Sequence, residues 1–514
     1  MPDAVTETLR PAPTPRSLTG AGGVLEDLGT DLSGVAGLVV TGVTHDSDAV
    51  LPGDLFVALP GALTHGARFA AGAAARGAVT ILTDPQGAVL AGDCALPLVV
   101  VEEPRDRMGQ VAARTYGHPG DRLLLVGVTG TNGKTTVTYL LESALRAAGH
   151  LTGVIGTVGT RIDGEHLPTA RTTPEATDVH ALLALMVERG VTAVAMEVSS
   201  HALVLGRVDG LVFDSAVFTN LSHDHLDFHR DMADYYAAKA TLFTAHRARA
   251  GIVCVDDDWG RRLHQESEVP ITSYATTPDA GADWTILDVV PTSSGSTLRV
   301  RGPQVADLTV SVRLPGDFNA TNALGALACA VSTGVDPEVA AAGIGRCTSV
   351  PGRMQAVPDP DADRAVLALV DYAHTPAAVS RAIAAARWAT RGRVLVVLGC
   401  GGDRDRAKRP EMGRAASELA DLVIVTDDNP RSEDPAVIRA AVLQGASARS
   451  HSAATVLEIG DRRQAIQRAV TEAGSGDVVL VLGKGHEQGQ DVAGVVHPFD
   501  DGVELAAALR GPRS

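Results

Sequence analysis

Gly130-Thr131-Asn132-Gly133-Lys134-Thr135-Thr136 follows the apolar run Leu123 to Val128 and leads into a helical pattern carrying Val137, Leu140, Leu141 and Leu145. A strand that turns through glycines into a helix N-terminus leaves several backbone N–H groups unpaired and aimed at one point. Those groups and the positive end of the helix dipole form an anion cradle. Lys134 is placed to reach the β- and γ-phosphates of a nucleotide, and the Thr135 hydroxyl to hold Mg2+. The spelling departs from G-x-x-x-x-G-K-[ST]: Val128 stands where the first glycine would be, and Gly130 is offered instead. The alternative is an ordinary glycine-rich turn with a solvated lysine. The strand before, the helix after and the paired threonines favour nucleotide binding.

A chain of 514 residues is too long for one core and suggests roughly three domains of about 150 residues. Hydrophobic residues make up 45% of it but aromatics only 3%, so its cores are built of Ala, Val and Leu. Strands alternating with Ala-rich helices produce that composition, and the class is α/β. Cys94, Cys254, Cys329, Cys347 and Cys400 are scattered with no C-x-x-C spacing, as buried thiols in a reducing compartment would be. Residues 1–20 read as a disordered tail with no signal peptide, and no apolar run is long enough to span a bilayer. A cytoplasmic protein without membrane insertion is expected. The formal charge of −17 argues against nucleic acid as partner, and an anionic substrate requires a locally positive cleft with arginines near the glycine-rich turns.

Residues 21–121 read as a small α/β module. Leu38–Val40, Asp54–Leu59, Val79–Leu82 and Leu98–Val101 are expected as strands, and Phe69 to Arg76 as its one helix. In residues 122–348, two further buried strands end in Glu197-Val198-Ser199-Ser200-His201 and in Thr219-Asn220-Leu221-Ser222-His223-Asp224-His225. Polar residues at strand C-termini are where open α/β sheets place ligands. Glu197, across from the Thr135 hydroxyl, is a natural oxygen ligand for Mg2+. Of Asp224, His225, Asp227 and His229, only His225 is assigned a direct metal role; a hydrogen-bonded polar loop is the alternative. Lys239 lies on an amphipathic helix and reads as a surface lysine. Residues 272–314 suggest a hairpin excursion. Asn319 and Asn322, at i and i+3, could cap a helix or bond a purine. Val350-Pro351-Gly352-Arg353 reads as a linker. In residues 349–514, four strands exit into Asp371-Tyr372-Ala373-His374, Gly399 to Arg406, Thr426 to Arg431 and Gly483 to Glu487, describing a doubly wound domain.

This constellation resembles the Mur ligases of peptidoglycan synthesis over nearly the whole chain, in the branch that adds the third residue of the stem peptide. The resemblance is carried by Gly130 to Thr136, Glu197 to His201, Asn220 to His229, Gly316 to Asn322, Gly352-Arg353 and Asp371 to His374. It implies three domains: a small N-terminal α/β domain binding UDP, a central P-loop-type ATPase sheet, and a C-terminal Rossmann-like domain binding the amino acid. It implies ATP and Mg2+ as cofactors and an acyl-phosphate route to an amide. Small-molecule substrates follow, a UDP-linked muramyl dipeptide and meso-diaminopimelate, with the enzyme acting as a monomer.

By motif, Gly130, Thr131, Asn132, Gly133, Lys134, Thr135 and Thr136 would bind ATP, together with Asn322, Arg353 and Asp371. Thr135 and Glu197 would hold one Mg2+ and His225 another. Lys239 matches the lysine that the family carbamylates into a metal ligand, and Lys134, Glu197, His225, Lys239 and Arg353 would form the catalytic set. Ser47, Thr172, Thr173, Ser199 and Arg207 match positions that bind the sugar nucleotide. The chain departs at Asp48, where Asp-Ser-Arg is usual, at Leu205, and at Ala62 to Gly66. Asp428-Asn429-Pro430-Arg431 resembles the diaminopimelate-adding branch, with Arg404, Gly483 and Glu487 as further contacts. A guanidinium fork at Arg431 would attract the distal carboxylate of diaminopimelate and repel lysine's ammonium. The competing readings are a lysine-adding relative, a folylpolyglutamate synthase-like ligase, and an inactive nucleotide-binding scaffold.

Overall fold

The apolar run before the glycine turn is the strand Leu124–Thr129, in the middle of a mostly parallel sheet. The computed structural model describes residues 9–167, 169, 171–292, 295–303, 305–360, 366–447 and 454–511. In hydrogen-bonded order the sheet runs Glu165–Leu167, Gly159–Ile162, Thr152–Gly156, Ala193–Glu197, Leu124–Thr129, Ser215–Phe218, Gly251–Cys254, Ile271–Ala275 and Trp284–Thr292. Leu125, Val126 and Val128 are fully buried, as befits a parallel strand covered on both faces. From this strand the chain passes to Thr152–Gly156, returns to the intervening position with Ala193–Glu197, and then crosses to Ser215–Phe218 on the other side. The order therefore reverses at the strand that feeds the glycine turn, where α/β sheets open their ligand crevice. Glu197 pairs in register with Val128, and Phe218 with Thr129, so three polar exits stand level.

The N-terminal module carries its own four-stranded parallel sheet: Gly42–Thr44, Asp54–Ala58, Thr80–Thr83 and Leu98–Val100. Of the strand expected at Leu38–Val40, Val39–Val40 is present but pairs antiparallel with Arg16–Ser17, outside that sheet. The expected helix shortens to Ala70–Ala75, and Pro85–Ala91 and Pro104–Thr115 join it. Both added helices begin with proline at their first turn, where a missing N–H costs nothing. Residues 1–8 of the expected tail lie outside the described residues. The rest of it is not a tail: Arg10 pairs with the buried Asp54 at 2.6 Å, and Arg16 takes part in the small sheet above. A charged residue early in a polar, proline-containing stretch gives no sign of such a distant partner.

This module and the central sheet have separate strands yet form one compact unit, Met1–Thr285 with Arg301–Ala306 and Leu324–Gly343. Pro104–Thr115 makes the join: a Cβ on Gly109 would run into the backbone of Asp209, so only glycine permits the approach. Beyond Trp284, the strands Gly295–Gly302 and Val305–Val312 match the expected excursion. Ile271–Ala275, expected as part of it, instead lies parallel in the main sheet.

The second unit, Ile286–Val300 with Asp307–Ala323 and Ile344–Ser514, holds a six-stranded sheet. Its order is Gln355–Val357, Leu367–Asp371, Val478–Leu482, Val394–Leu398, Leu422–Val425 and Thr455–Glu458, parallel apart from the first. Residues alternate between faces with period two. Leu369, Leu480, Val396 and Val423 pack on Val379, Met412 and Ile438. Val370, Val481, Val397 and Ile424 pack on Ile466 and Leu505. Helices cover both faces, which is the doubly wound arrangement expected. The Val350–Arg353 stretch is not a free linker: Gly352 accepts a hydrogen bond from Tyr372 N (2.9 Å), and a Cβ there would strike the Gly485–His486 backbone.

Candidate active site

The glycine turn is built in the first unit by two left-handed glycines, Gly130 (φ 142°) and Gly133 (φ 91°). A side chain on Gly130 would collide with Thr219 Oγ1. The turn is stapled to the neighbouring strand exit. Thr219 Oγ1 donates to Asn132 O (2.6 Å), Asn220 Oδ1 accepts from Asn132 N (3.1 Å), and Ser222 N donates to Thr131 Oγ1 (3.0 Å). The helix Lys134–Ala147 starts directly behind it, with Thr135 and Thr136 buried. Lys134 Nζ donates to Gly130 O and Thr131 O, both at 2.9 Å.

Lys239 corrects the sequence reading. It is 1% exposed, and its Nζ donates to Gly130 O at 3.0 Å and lies 4.7 Å from the centre of the Tyr235 ring. Two lysines thus converge on one carbonyl. Burial first, then the Lys134 charge, hold the Lys239 pKa well below its ordinary value. Its helix, Met232–Ala240, turns Tyr235, Tyr236, Ala238 and Lys239 inward, and the polar atom of the inward set was not distinguishable by periodicity.

Glu197 closes the neighbouring exit and is 1% exposed. Its carboxylate accepts from Thr157 N (2.8 Å) and Thr157 Oγ1 (2.9 Å), and Thr157 Oγ1 lies 3.0 Å from Thr172 Oγ1. Thr173 Oγ1 donates to Glu197 O (2.9 Å) and accepts from Ser199 N (3.2 Å), while Ser199 caps the helix Ser200–Val204. Arg207 Nη1 donates to Thr173 O (3.2 Å). Glu197, Thr172, Thr173, Ser199 and Arg207 therefore belong to one hydrogen-bonded network.

Sequence reasoning missed two members of this region. Thr157 orients Glu197 only because Thr152–Gly156 lies beside Ala193–Glu197. Glu175, buried, receives Arg171 (2.7 Å), Arg207 (2.9 Å) and Arg105 (3.2 Å). Burial raises the Glu175 pKa, but Arg207, His45 and the other arginines outweigh it and hold the carboxyl below its usual range. Ser47 lies in the turn Ser47–Ala49, capped by Asp46; Asp48, at the departure noted above, pairs with Arg76 at 2.7 Å.

His225 adopts φ 54°, uncommon outside glycine. Its ring is 5.0 Å from that of His201 and 6.0 Å from that of Tyr235. Burial, only partly opposed by Asp224, pushes its pKa down to about 4, so its imidazole is neutral, the form that binds metal. Among the described residues no three His, Cys, Asp or Glu side chains form a ready metal shell. The Thr135 hydroxyl and the Glu197 carboxylate are hard oxygen donors that suit Mg2+ bound largely through phosphate and water, whereas the His225 imidazole is a softer donor than Mg2+ ordinarily takes.

In the second unit Asp371, Leu398 and Val425 end in register around Leu482, so their loops share one edge. Asp371 accepts from Met354 N (2.7 Å) and Ala373 N (2.9 Å); burial raises its pKa against the pull of Arg353. The Arg353 guanidinium lies 4.7 Å from the centre of the Tyr372 ring. Arg431 (φ 51°) donates through Nη1 to Gly402 O (2.6 Å), and its backbone is bracketed by Asp491 O (2.9 Å) and Ala493 N (2.7 Å). Asn429 Nδ2 donates to Glu487 Oε2 at 2.7 Å. Asp428 and Asn429 are buried, and a Cβ on Gly483 would meet Asp428 Oδ2. Arg404 is exposed. Beneath this edge the fully buried Arg462 forks onto Asp501 (2.7 Å twice) and donates to Leu482 O (2.9 Å), tying strand end to helix. Asn319 donates to Pro315 O (2.8 Å) and Asn322 to Asn319 Oδ1 (3.0 Å), so these two amide groups bond each other and the preceding loop.

Family models match in three consecutive stretches: residues 39–116 the Mur ligase family catalytic domain, 128–330 the Mur ligase middle domain, and 352–485 the Mur ligase glutamate ligase domain. The chain is a Mur ligase. This Mur ligase is 53% identical to the UDP-N-acetylmuramoyl-L-alanyl-D-glutamate–2,6-diaminopimelate ligase of Streptomyces avermitilis, over 92% of each chain. It is 45% identical to the UDP-N-acetylmuramyl-tripeptide synthetase of Leifsonia xyli subsp. xyli, over 94% of each. A solved structure of a UDP-N-acetylmuramoyl-L-alanyl-D-glutamate–2,6-diaminopimelate ligase superposes with a TM-score of 0.65 at 34% identity, covering 91% of this Mur ligase and 94% of that chain. No described helix of this Mur ligase is long and apolar enough to cross a membrane.

Proposed function

We propose that this Mur ligase is an ADP-forming acid–amino-acid ligase that joins meso-diaminopimelate to UDP-N-acetylmuramoyl-L-alanyl-D-glutamate, working as a cytoplasmic monomer. The observation that carries the reading is the loop Asp428–Arg431. Two residues before the Arg431 fork, Asn429 holds Glu487 at 2.7 Å. A guanidinium and a carboxylate on one sheet edge match the carboxylate and ammonium at the distal centre of diaminopimelate. The relatives named for that reaction add support.

A carboxylate is a poor electrophile, so the D-glutamyl carboxylate oxygen first takes the γ-phosphoryl group of ATP, releasing ADP. The acceptor amine then attacks the acyl carbon and loses a proton. The tetrahedral adduct collapses as the C–O bond to phosphate breaks, leaving an amide. Two anions meet in the first step, and fixed positive charge lowers its barrier. In this reading residues 122–348 take the phosphates of ATP, Gly130 to Thr136 cradling them and Lys134 neutralising them, and Asn322, Arg353 and Asp371 are further nucleotide contacts. Thr135, Glu197, His225 and a carbamate on Lys239 would hold Mg2+, which when bound shields the phosphate oxygens. The depressed pKa of Lys239 supports this assignment, because only an unprotonated amine combines with CO2. Residues 21–121 take the uridine end through Ser47, and Thr172, Thr173, Ser199 and Arg207 hold the rest of that substrate. Residues 349–514 take the amino acid through Arg404, Asp428, Asn429, Pro430, Arg431, Gly483 and Glu487.

Because the name of the Leifsonia relative leaves the third residue unspecified, a different acceptor is the second reading. Phosphate release with UDP-N-acetylmuramoyl-L-alanyl-D-glutamate and either meso-diaminopimelate or L-lysine tests both. Turnover is expected with the first alone. Equal rates would remove the specificity claim, and no phosphate release with both acceptors would leave a nucleotide-binding scaffold.

A further inference from the structure

Lys484 follows the strand Val478–Leu482 in a glycine-flanked turn, and its side chain is 0% exposed. Burying an ammonium costs several kcal/mol unless its donors are satisfied. Here each of three has an acceptor: Asn429 Oδ1 (3.1 Å), Glu487 Oε2 (3.2 Å) and Gly489 O (2.5 Å). Asn429 Oδ1 also accepts from Asp491 N (3.0 Å). With the amide oxygen facing two donors, the Asn429 amide can stand only one way round, with Nδ2 on Glu487 Oε2. Glu487 is thereby held by one oxygen. Its side chain is 32% exposed, and Oε1 has no hydrogen bond among the described residues.

We propose that Lys484 is a positioning residue for recognition of the incoming diamino acid. It locks Asn429 and pins Glu487 Oε2, so that Oε1 is presented to the distal ammonium of the acceptor. Through Gly489 O it also ties down the start of the hairpin Gly489–Val492 and Val495–Pro498, whose Asp491 and Ala493 bracket the Arg431 backbone. The inference rests on the reading of this loop as the amino-acid site.

The test is steady-state kinetics on the full-length enzyme carrying Lys484→Met, which keeps the stem and removes the ammonium. The KM for meso-diaminopimelate is expected to rise about 10- to 100-fold, as loss of charged hydrogen bonds allows, with kcat and the KM for ATP within about threefold. Added to Glu487→Gln, the same change should cost several-fold less than it does in the wild type, because the larger part of both losses passes through one carboxylate. If Lys484→Met lacks a cooperative thermal transition, Asn429→Asp carries the test. It keeps the acceptor used by Lys484 and Asp491 N but removes the N–H to Glu487, and the same KM-only loss is expected. An unchanged KM in a folded variant, a fall in kcat with a comparable rise in every KM, or fully additive losses would overturn the positioning role. A wild-type enzyme that does not turn over meso-diaminopimelate would overturn the functional reading itself, and is seen before any variant is made.

Discussion

At Lys239 an amino group stands where water does not reach, and the charge that acts on it most strongly is another lysine. Both facts favour the neutral amine, the state able to take up CO2. Enzyme kept in CO2-free buffer should lose turnover and regain it on addition of bicarbonate, whereas Lys239→Ala should be slower by roughly 100-fold or more and indifferent to bicarbonate. Phosphate release measures both, and a wild-type enzyme equally active without CO2 would exclude the carbamate. The sequence read this lysine as exposed because hydropathy treats every lysine alike; only the resemblance to a family marked it. Arg431 was legible through its motif, but its left-handed backbone was not, since that depends on the distant Asp491 and Ala493. Lys484 was visible between glycines at a strand exit, yet nothing local reveals three buried acceptors. Residues whose roles depend on neighbours in space, Thr157 and Glu175 among them, left no mark in the chain.

Helix Ala176–Glu188 carries His180 against the loop at Asp209, with Nε2 donating to Asp209 O at 3.0 Å. Its Nδ1 has no partner among the described residues. Burial, together with the His118 charge and against Asp121, pushes its pKa from 6.5 down to about 4. The unfolded chain therefore binds this proton more readily than the folded one. The contribution is fully present above pH 6.5 and is lost as the pH falls from 6.5 towards 4, by about 3 kcal/mol at most. His180→Gln keeps a donor for Asp209 O and does not titrate. Denaturant midpoints measured between pH 7 and pH 4 should fall less steeply for it than for the wild type, and parallel slopes would remove His180 as the cause. At this scale the long elements were the readable ones. Each strand leading to a glycine-rich or polar exit appears where the apolar runs placed it, because a strand buried on both faces needs an unbroken apolar stretch. Short pieces escaped: Thr455–Glu458, partly exposed at a sheet edge, and the polar hairpin after Gln488 lack that signature. The N-terminal helix Pro104–Thr115 was missed because its arginine-rich surface dilutes the pattern of Met108, Val111 and Ala112.

For the whole molecule, strand-and-helix rhythm revealed three sheet-bearing modules, while the fusion of the first two into one compact unit depends on close approaches such as Gly109 that no pattern announces. Each of the two units has its own core. The proposed nucleotide-phosphate residues, Gly130 to Thr136, belong to the first unit and the proposed amino-acid residues to the second. The tryptophans divide in the same way: Trp259 and Trp284 fall in the first unit and Trp388, 40% exposed, in the second. Fluorescence of Trp388→Phe therefore follows the first unit, and the difference from wild type follows the second. A ligand that binds only the folded state adds about 2.7 kcal/mol when present at 100 times its Kd. In urea, meso-diaminopimelate should move the difference signal and leave the transition of the first reporter nearly in place, whereas ADP with Mg2+, whose proposed contacts include Gly130 to Thr136 in the first unit and Asn322, Arg353 and Asp371 in the second, should move both. Should meso-diaminopimelate shift both signals equally in a single transition, the chain unfolds as one cooperative body and the assignment of the amino acid to the second unit loses its thermodynamic basis. A shift of the second signal by diaminopimelate but not by L-lysine would locate the discrimination in the unit that carries Arg431, Lys484 and Glu487, independently of turnover.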